Sequence, residues 1–170
     1  MFIKISGLSE GVHNFSFDEK VSLINLEEPF FGNFTAFIEL SKTHNQIVLK
    51  TDFSVIAHFD CDRCANNFES EIKGSYRMVY FFGSKPTDGE NTDENLIFLH
   101  PDADRIEISN DLRDFALLSV PMKKLCREDC KGLCSHCGKD LNDGDCSCDK
   151  NNTDARWLPL QELKNKINNN

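Results

Sequence analysis

The sequence predicts a mainly β protein with minor α structure (β-rich α+β), in which an antiparallel sheet or partly open barrel carries an appended C-terminal cysteine-rich module. Three observations support this fold class. Apolar and polar residues alternate through much of the first hundred residues, helical spacing is confined to two short stretches, and six of the eight cysteines lie within residues 126–148. We therefore expect a β-rich body over residues 1–120, ending in a short helix, and a cysteine-rich segment over residues 121–170 packed on that body.

Two segments of the body show the period-two pattern of half-buried strands. The apolar positions of the first are Phe53, Val55, Ala57, Phe59 and Cys61, and those of the second are Ile72, Tyr76, Met78, Tyr80 and Phe82. Period two places each set on one face of a sheet. Residues 34–40 and 46–50 are separated by the polar string SKTHN, which predicts a hairpin whose second strand continues towards Cys61. Shorter strands are expected at residues 2–6, 12–17, 96–99 and 105–109.

The remaining elements are a loop and two short helices. Residues 83–95, GSKPTDGENTDEN, offer nothing to bury, so we expect a mobile loop there. After it, Ser109 and Asn110 can cap a short helix that Pro121 ends. The apolar residues of this helix are Leu112, Phe115, Ala116 and Leu118. The helical spacing of Leu160, Leu163 and Ile167 predicts a last helix before a polar tail that frays.

The composition bounds the class of protein. With 170 residues, 39% apolar residues and fourteen phenylalanines, the chain can bury one sizeable core. The first residues lack a basic start followed by an apolar run, and no stretch approaches eighteen consecutive apolar residues. We therefore expect a cytoplasmic protein that has no membrane partner.

Acidic residues are concentrated in the predicted body. The net charge is −9, and residues 1–120 hold 10 Lys and Arg against 20 Asp and Glu, whereas residues 121–170 hold 9 against 8. Broad binding to a phosphate backbone depends on Lys and Arg that displace counterions. The charge disfavours such binding by the whole molecule, so any nucleic-acid contact has to be local or made through a partner.

The eight cysteines are expected to be metal ligands rather than disulfide partners. Disulfides persist in oxidising compartments, whereas closely paired cysteines in a reducing cytosol are typical of soft-metal sites. A Cys-x-x-Cys turn can offer two sulfurs about 2.3 Å from one Zn²⁺, and four thiolates complete its tetrahedral shell. Gly138 directly follows Cys137 and suits such a turn, because glycine adopts unusual backbone conformations readily. The C-terminal module is therefore predicted to be a zinc module.

Spacing groups the cysteines into two sets of four. The first set contains Cys134, Cys137, Cys146 and Cys148. The eight residues GKDLNDGD between its two halves carry turn formers and can fold back as a tight loop. The remaining set contains Cys61, Cys64, Cys126 and Cys130, and it would join the end of a strand to a segment about sixty residues later. We expect two structural Zn²⁺ ions; the alternatives are a single ion that uses Cys126 or Cys130 with Cys134 and Cys137, and partial occupancy of the sites.

Other interpretations of individual residues remain open. Cys61 and Cys64 could form a thiol redox pair, although that motif usually opens a helix in a βαβ unit. Four thiolates could also hold an iron–sulfur cluster, although a compact Cys-x-x-Cys-Gly turn favours zinc. His136 could replace a cysteine as ligand. Arg63 is either an exposed loop charge or a partner-binding residue, and Trp157 is expected to be a packing anchor of the zinc module.

The sequence contains none of the common catalytic motifs. No nucleophile elbow, P-loop, dinucleotide-binding fingerprint or His-Glu-x-x-His string occurs. A catalytic Zn²⁺ keeps an open coordination position, whereas a site made of four thiolates is closed. We therefore expect a protein that is not an enzyme and has no small-molecule substrate.

Two cysteine motifs resemble those of a known family. The segment VPMKKLCREDCKGLCSHCGKDLNDGDCSC, followed by DARWLPLQEL, resembles the C-terminal signature of the YceD family, the large ribosomal RNA subunit accumulation proteins. The earlier string DCDRC is similar to that family's other signature, a Cys-x-Arg-Cys after a strand. By position, the resemblance assigns the family's cysteines to all eight cysteines of this chain. Asp154 and Arg156 stand where the family tends to show Asp-Pro-Arg, with Ala155 in place of the proline.

The resemblance implies a bacterial-type cytoplasmic protein that is needed for normal accumulation of large-subunit ribosomal RNA and is not an enzyme. The leading hypothesis is a ribosome-biogenesis factor that binds a ribosomal protein or pre-rRNA of the large subunit, with the zinc-held segment as its recognition surface. The acidic body fits a basic ribosomal protein better than RNA. Two alternatives are a thiol redox or metal-dependent enzyme that uses Cys61 and Cys64, and a zinc-ribbon adaptor unrelated to ribosomes. The oligomeric state is not predicted.

Overall fold

The structure, a computed structural model, describes residues 1–83 and 96–148 together with residues 156 and 160. The chain divides into two units by its internal contacts. The first contains Met1–Asp62 and Asn66–Glu128, and the second contains Arg63–Ala65 and Asp129–Asn170. Several predictions concern residues outside the described ranges: the loop over residues 84–95, Leu163 and Ile167 of the last helix, and Asp154, Ala155 and Trp157.

Within the described residues, seven strands form two sheets in the first unit. The strands are β1 (Phe2–Lys4), β2 (Gly11–Lys20), β3 (Phe30–Lys42), β4 (Gln46–Asp60), β5 (Asn67–Phe82), β6 (Leu96–Leu99) and β7 (Arg105–Glu107). The larger sheet has the order β2-β3-β4-β5-β6, and β1 pairs with β7 in the smaller one. All pairs are antiparallel except β5 with β6, which is parallel. The predicted strand-rich fold class is therefore confirmed, and among the described residues the larger sheet is open, as one of the two predicted forms.

The predicted hairpin is present and longer than its sequence pattern indicated. Strands β3 and β4 are joined by a tight turn in which the Thr43 N–H donates to the Gln46 carbonyl at 2.9 Å. β4 continues to Asp60, one residue before Cys61, and pairs with β5 along that length. A strand with partners on both sides satisfies all its backbone groups, so pairing extends through polar positions that weaken the local pattern.

The hydrophobic core lies against one face of the larger sheet, its inner face. The fully buried residues on this face include Phe34, Ile38, Leu40, Ile47, Leu49, Val55 and Ala57. Ile3 of β1, Ile106 of β7 and Leu112 belong to the same cluster, and so does Ile24 of a short 3₁₀ helix (Val21–Ile24) that the sequence pattern did not predict. Full burial of each large aliphatic side chain stabilises the fold by about 1.5–3 kcal/mol.

Helix α1 (Ser109–Leu118) occurs where it was predicted, but its N-terminal end differs. Ile108 occupies the cap position, and the Ser109 hydroxyl donates to Glu107 Oε1 at 2.9 Å instead of capping the helix. The ring of Phe115 stacks on Tyr76 with 4.3 Å between centroids. Leu118 is 78% exposed, because it lies six residues after buried Leu112 and thus about 120° around the helix. Among the described helices, none is long and apolar enough to cross a membrane.

Gly74 in β5 leaves room for the side chain of Phe53, its partner on β4. A Cβ atom at position 74 would overlap the Phe53 ring and lie 2.5 Å from the Ser119 hydroxyl. Gly74→Val should therefore lower the free energy of unfolding by about 1–3 kcal/mol, because overpacking forces neighbouring side chains out of their rotamers. Ser75→Ala, on the outer face, should change it by less than about 0.5 kcal/mol. Chemical denaturation measures both variants, and an unchanged stability of Gly74→Val would contradict this account of the packing.

Candidate metal centres

The structure brings the eight cysteines together as two groups of four. The strand-end tetrad contains Cys61, Cys64, Cys126 and Cys130, and the C-terminal tetrad contains Cys134, Cys137, Cys146 and Cys148. Within each tetrad, the four sulfurs all lie within 4.8 Å of one another. Tetrahedral coordination with bonds of about 2.3 Å places sulfurs about 3.8 Å apart. Each tetrad could therefore hold a metal ion, and the sets are the same two that the sequence spacing predicted.

A tight hairpin presents Cys134 and Cys137 of the C-terminal tetrad. Leu133 and Asp140 form an antiparallel bridge, and the Cys134 N–H donates to the Lys139 carbonyl at 2.8 Å. The Gly138 N–H closes the turn by donating to the Cys134 carbonyl at 2.9 Å. Gly138 has a φ of +73°, a left-handed conformation that glycine adopts without strain. Glycine directly after Cys137 therefore lets the chain adopt the left-handed conformation that closes this turn.

Asn142 organises the loop that leads from this hairpin to Cys146. Its side-chain amide donates to Asp140 Oδ1 at 2.7 Å, and its side-chain oxygen accepts the Lys131 N–H at 2.8 Å. The same amide donates to Cys130 Sγ at 3.4 Å. Amide donors around sulfur orient a thiolate ligand and disperse its charge. In the sequence, Asn142 has no signal of this role beyond its position in the turn-forming string DLNDG.

Hydrogen bonds shift the pKa values of two thiols of the C-terminal tetrad in opposite directions. Backbone N–H groups of Cys137 and His136 donate to Cys134, and they lower the pKa of the Cys134 thiol to about 6. Hydrogen bonding to Cys137 raises the pKa of the Cys148 thiol to about 12. Cys134 Sγ and Cys146 Sγ lie 3.3 Å apart. Because a thiolate is the form that binds metal, the lowered pKa of Cys134 favours its ionised, metal-binding form.

The turn between β4 and β5 presents Cys61 and Cys64 of the strand-end tetrad. Both thiols are buried, and the Cys61 N–H closes the turn by donating to the Asn66 carbonyl at 2.9 Å. Asp62 makes two hydrogen bonds with Lys124: its N–H donates to the Lys124 carbonyl at 2.8 Å, and its carboxylate accepts the Lys124 N–H at 2.7 Å. Lys124 stands two residues before Cys126, so these bonds hold the segment that carries Cys126 beside the turn.

Arg63 is a structural residue of this turn. Its guanidinium donates to the Cys130 carbonyl at 2.8 Å, and its own carbonyl accepts the Leu133 N–H at 3.0 Å. Gly132, with a φ of +76°, lies so close that a Cβ atom there would be 2.8 Å from the Arg63 carbonyl oxygen. The sequence suggested an exposed loop charge or a partner-binding residue at position 63, and Arg63 is exposed. The sequence did not predict its hydrogen bonds, because they involve residues 67 or more positions later.

The geometry bears on three of the alternatives raised by the sequence. Cys126 and Cys130 lie with Cys61 and Cys64, and not with the Cys134 hairpin as a single-ion site would require. Cys61 and Cys64 are accordingly two members of a four-sulfur group and not an isolated redox pair. The ring of His136 belongs to neither tetrad; its backbone N–H is the group that lies 3.5 Å from Cys134 Sγ.

Comparison with known proteins connects these motifs to a family. Residues 49–164 match the family model described as "Large ribosomal RNA subunit accumulation protein YceD". The chain is 24% identical over 131 residues to the chloroplastic large ribosomal RNA subunit accumulation protein YCED homolog 1 of Arabidopsis thaliana, which covers 63% of this chain and 41% of that protein. The protein of the same name in Zea mays is 40% identical over 62 residues, 35% of this chain and 20% of that protein.

A bacterial relative carries no functional name. An uncharacterised protein of Mycobacterium tuberculosis is 27% identical over 104 residues, which cover 61% of this chain and 49% of that protein. The chain thus spans about half the length of these curated relatives or less. No solved structure matches the chain.

Alanine substitutions at Gly132 and Gly138 distinguish the steric cost of the contact with Arg63 from the cost of a left-handed backbone. Both glycines are left-handed, but a Cβ atom at Gly138 would meet nothing within 4 Å, whereas one at Gly132 would meet the Arg63 carbonyl. Gly138→Ala should lower the free energy of unfolding by about 1 kcal/mol, the cost of a left-handed alanine. Gly132→Ala should cost at least about 1 kcal/mol more, because the neighbouring backbone must move. Urea denaturation measures the difference, and equal losses would contradict the proposed tight contact.

Proposed function

Since the chain belongs to the YceD family of large ribosomal RNA subunit accumulation proteins, we propose that it is a zinc-binding factor in ribosome biogenesis. In this role it supports the accumulation of large-subunit ribosomal RNA and acts in the cytoplasm without catalysing a reaction. The observation that carries the proposal is the pair of four-sulfur clusters, which lie within the cysteine motifs matched by the family model.

The ligand chemistry supports Zn²⁺ as the ion of both tetrads. Soft thiolate ligands select zinc or iron–sulfur clusters among the common biological metals. The compact Cys-x-x-Cys-Gly turn at Cys134 to Gly138 favours zinc, which needs only four sulfurs at tetrahedral angles. In this proposal Cys61, Cys64, Cys126 and Cys130 hold one ion, and the C-terminal tetrad holds the other.

Full coordination by protein ligands supports a structural role for both ions. Four thiolates occupy all four positions of a tetrahedral ion, so no position is left for a reactive water or a substrate oxygen. Zinc binding at such a site contributes directly to folding, with apparent free energies on the order of 10 kcal/mol in small zinc peptides. The same closed coordination argues against a hydrolytic or thiol redox role for Cys61 and Cys64.

The charge distribution supports a ribosomal protein as the direct partner. Residues 1–120 hold twice as many acidic as basic residues, 20 against 10. A surface of this kind attracts strongly basic proteins and accelerates their association, whereas it repels the phosphate backbone of RNA. We therefore propose that this factor affects ribosomal RNA indirectly, by binding a basic protein of the large subunit before or during assembly.

Native mass spectrometry of the reduced, full-length protein tests the metal assignment. We expect two zinc ions per chain. Replacing two ligands of one tetrad, as in Cys134→Ser with Cys137→Ser, should leave one ion, since the strand-end tetrad keeps its own four sulfurs. Ser135→Ala, between these two cysteines, is the matched control and should retain both ions. A single ion in the unmodified protein would contradict the paired sites, and no ion would contradict zinc binding altogether.

Depletion of the protein from the cells that express it tests the ribosomal role. The ratio of large-subunit to small-subunit ribosomal RNA should fall, and a plasmid copy of the unmodified gene should restore it. The copy with Cys134→Ser and Cys137→Ser should fail to restore the ratio, whereas the Ser135→Ala copy should succeed. If depletion leaves the ratio of large-subunit to small-subunit ribosomal RNA unchanged, the ribosomal role is refuted and a zinc-ribbon adaptor becomes the better description.

A further inference from the structure

The outer face of the larger sheet holds a groove that crosses four strands. The groove has a volume of about 810 Å³ and lies over the middle of β2, β3, β4 and β5. The strand register aligns Ser16, Phe37, Asp52 and Ser75 as one row of its floor. The side chains of these residues alternate with buried neighbours such as Ala36 and Phe53, so they face away from the core.

An exposed aromatic ring and a free carboxylate lie side by side at the centre of this row. Phe37 is 50% exposed, and its ring stacks on no other ring in the described part of the chain. Asp52 is its direct partner on β4, which places their Cβ atoms about 5 Å apart. Across residues 1–83 and 96–148, no hydrogen bond or ion pair involves the Asp52 carboxylate. A planar cation can stack on such a ring while it pairs with the carboxylate.

The charges around the groove favour a basic ligand. Among the described residues that line it, Lys73 is the only lysine, and it is paired with Glu71 at 2.8 Å. Asp18, in the next row, accepts one hydrogen bond from Asn33 at 2.9 Å. Counted over the outward positions of β2 to β5, the carboxylates are Asp18, Glu39, Asp52, Asp60, Glu69 and Glu71, and the cations are Lys20, Lys50, Lys73 and Arg77. This excess of acidic over basic side chains attracts cationic segments and repels phosphate.

We propose that this groove docks an extended, arginine-containing segment of a basic protein. One guanidinium stacks on Phe37 and pairs with Asp52, and a second basic side chain reaches Asp18. Asp18 and Asp52 lie two strands apart, which is about 10 Å across the sheet. They are also offset by two residues along the strands, about 7 Å, so they lie about 12 Å from each other. An extended segment advances about 3.3 Å per residue, so basic residues about four positions apart match this spacing. The inference rests on the proposed function only where it identifies the natural segment as part of a ribosomal protein.

Titration of the zinc-loaded full-length protein with a synthetic peptide tests the docking surface. The peptide is a short run of Thr and Val with two arginines four positions apart, and the comparison peptide has the same composition with its arginines adjacent. Backbone amide shifts should change at Thr35, Phe37, Asp52 and Ser54. Asp52→Lys should weaken binding by about tenfold or more, and Phe37→Ser by several-fold. Both positions are exposed, so the core should not change.

Asp114→Lys is the matched control, because it makes the same change in charge on helix α1 and outside the groove. It should weaken binding by less than about threefold. Equal weakening by Asp114→Lys and Asp52→Lys would reduce the effect to net charge and overturn the proposal. So would equal binding of the two peptides, or displacement of the peptide from the same amides by a single-stranded RNA oligonucleotide. If the peptide binds but depletion leaves the ribosomal RNA ratio unchanged, the ribosomal role is refuted and the docking surface stands. If the ratio falls but the peptide does not bind, only the docking surface is refuted.

Discussion

Four sulfur atoms within 4.8 Å of one another can be thiolates together only when a cation lies among them, because like charges at that distance repel strongly. This constraint explains much of the local structure around the cysteines. Amide donors from His136 and Asn142 point at sulfur, and left-handed glycines close the turns. With Zn²⁺ bound as proposed, each site of four thiolates would carry a charge of about −2, and two such sites would change the formal net charge from −9 to roughly −13.

Local sequence patterns predicted the parts of the fold that depend on neighbours in the chain. The β3–β4 hairpin, helix α1 and the Cys134 turn all have their signals within a few residues, and each occurs where the pattern placed it. Spacing also grouped the cysteines as the structure does. The bonds of Arg63 and the contacts of Asn142 could not be predicted in this way. They join segments that meet only after folding, and no local pattern carries that information.

Along each strand of the larger sheet, alternate residues face the core and the outer surface. The first set stabilises the fold, and the second forms the proposed docking surface. Ala36 and Ile38 of β3 are buried in the core, while Phe37 between them is half exposed. The period of two lets the outer face change its chemistry with little effect on the inner face. A protein built on this plan can keep its core and metal centres while its outer surface is adapted to a particular partner. Such separation also explains why the groove was not visible from hydrophobic patterning, which reports mainly the buried face.

The pairing of β1 with β7 gives this fold an uneven folding order. Strands β2 to β5 are consecutive antiparallel neighbours, so each pairing closes only a short loop. Phe2, in contrast, pairs with Glu107, and closing a loop of about 100 residues costs about 4 kcal/mol of chain entropy. Strands β2 to β5 can therefore pair early from local contacts, and the three-residue ladder between β1 and β7 is added late. We therefore expect the N-terminal strand to open more easily in the native state than the long strands β3 and β4, although its Ile3 is buried in the finished core.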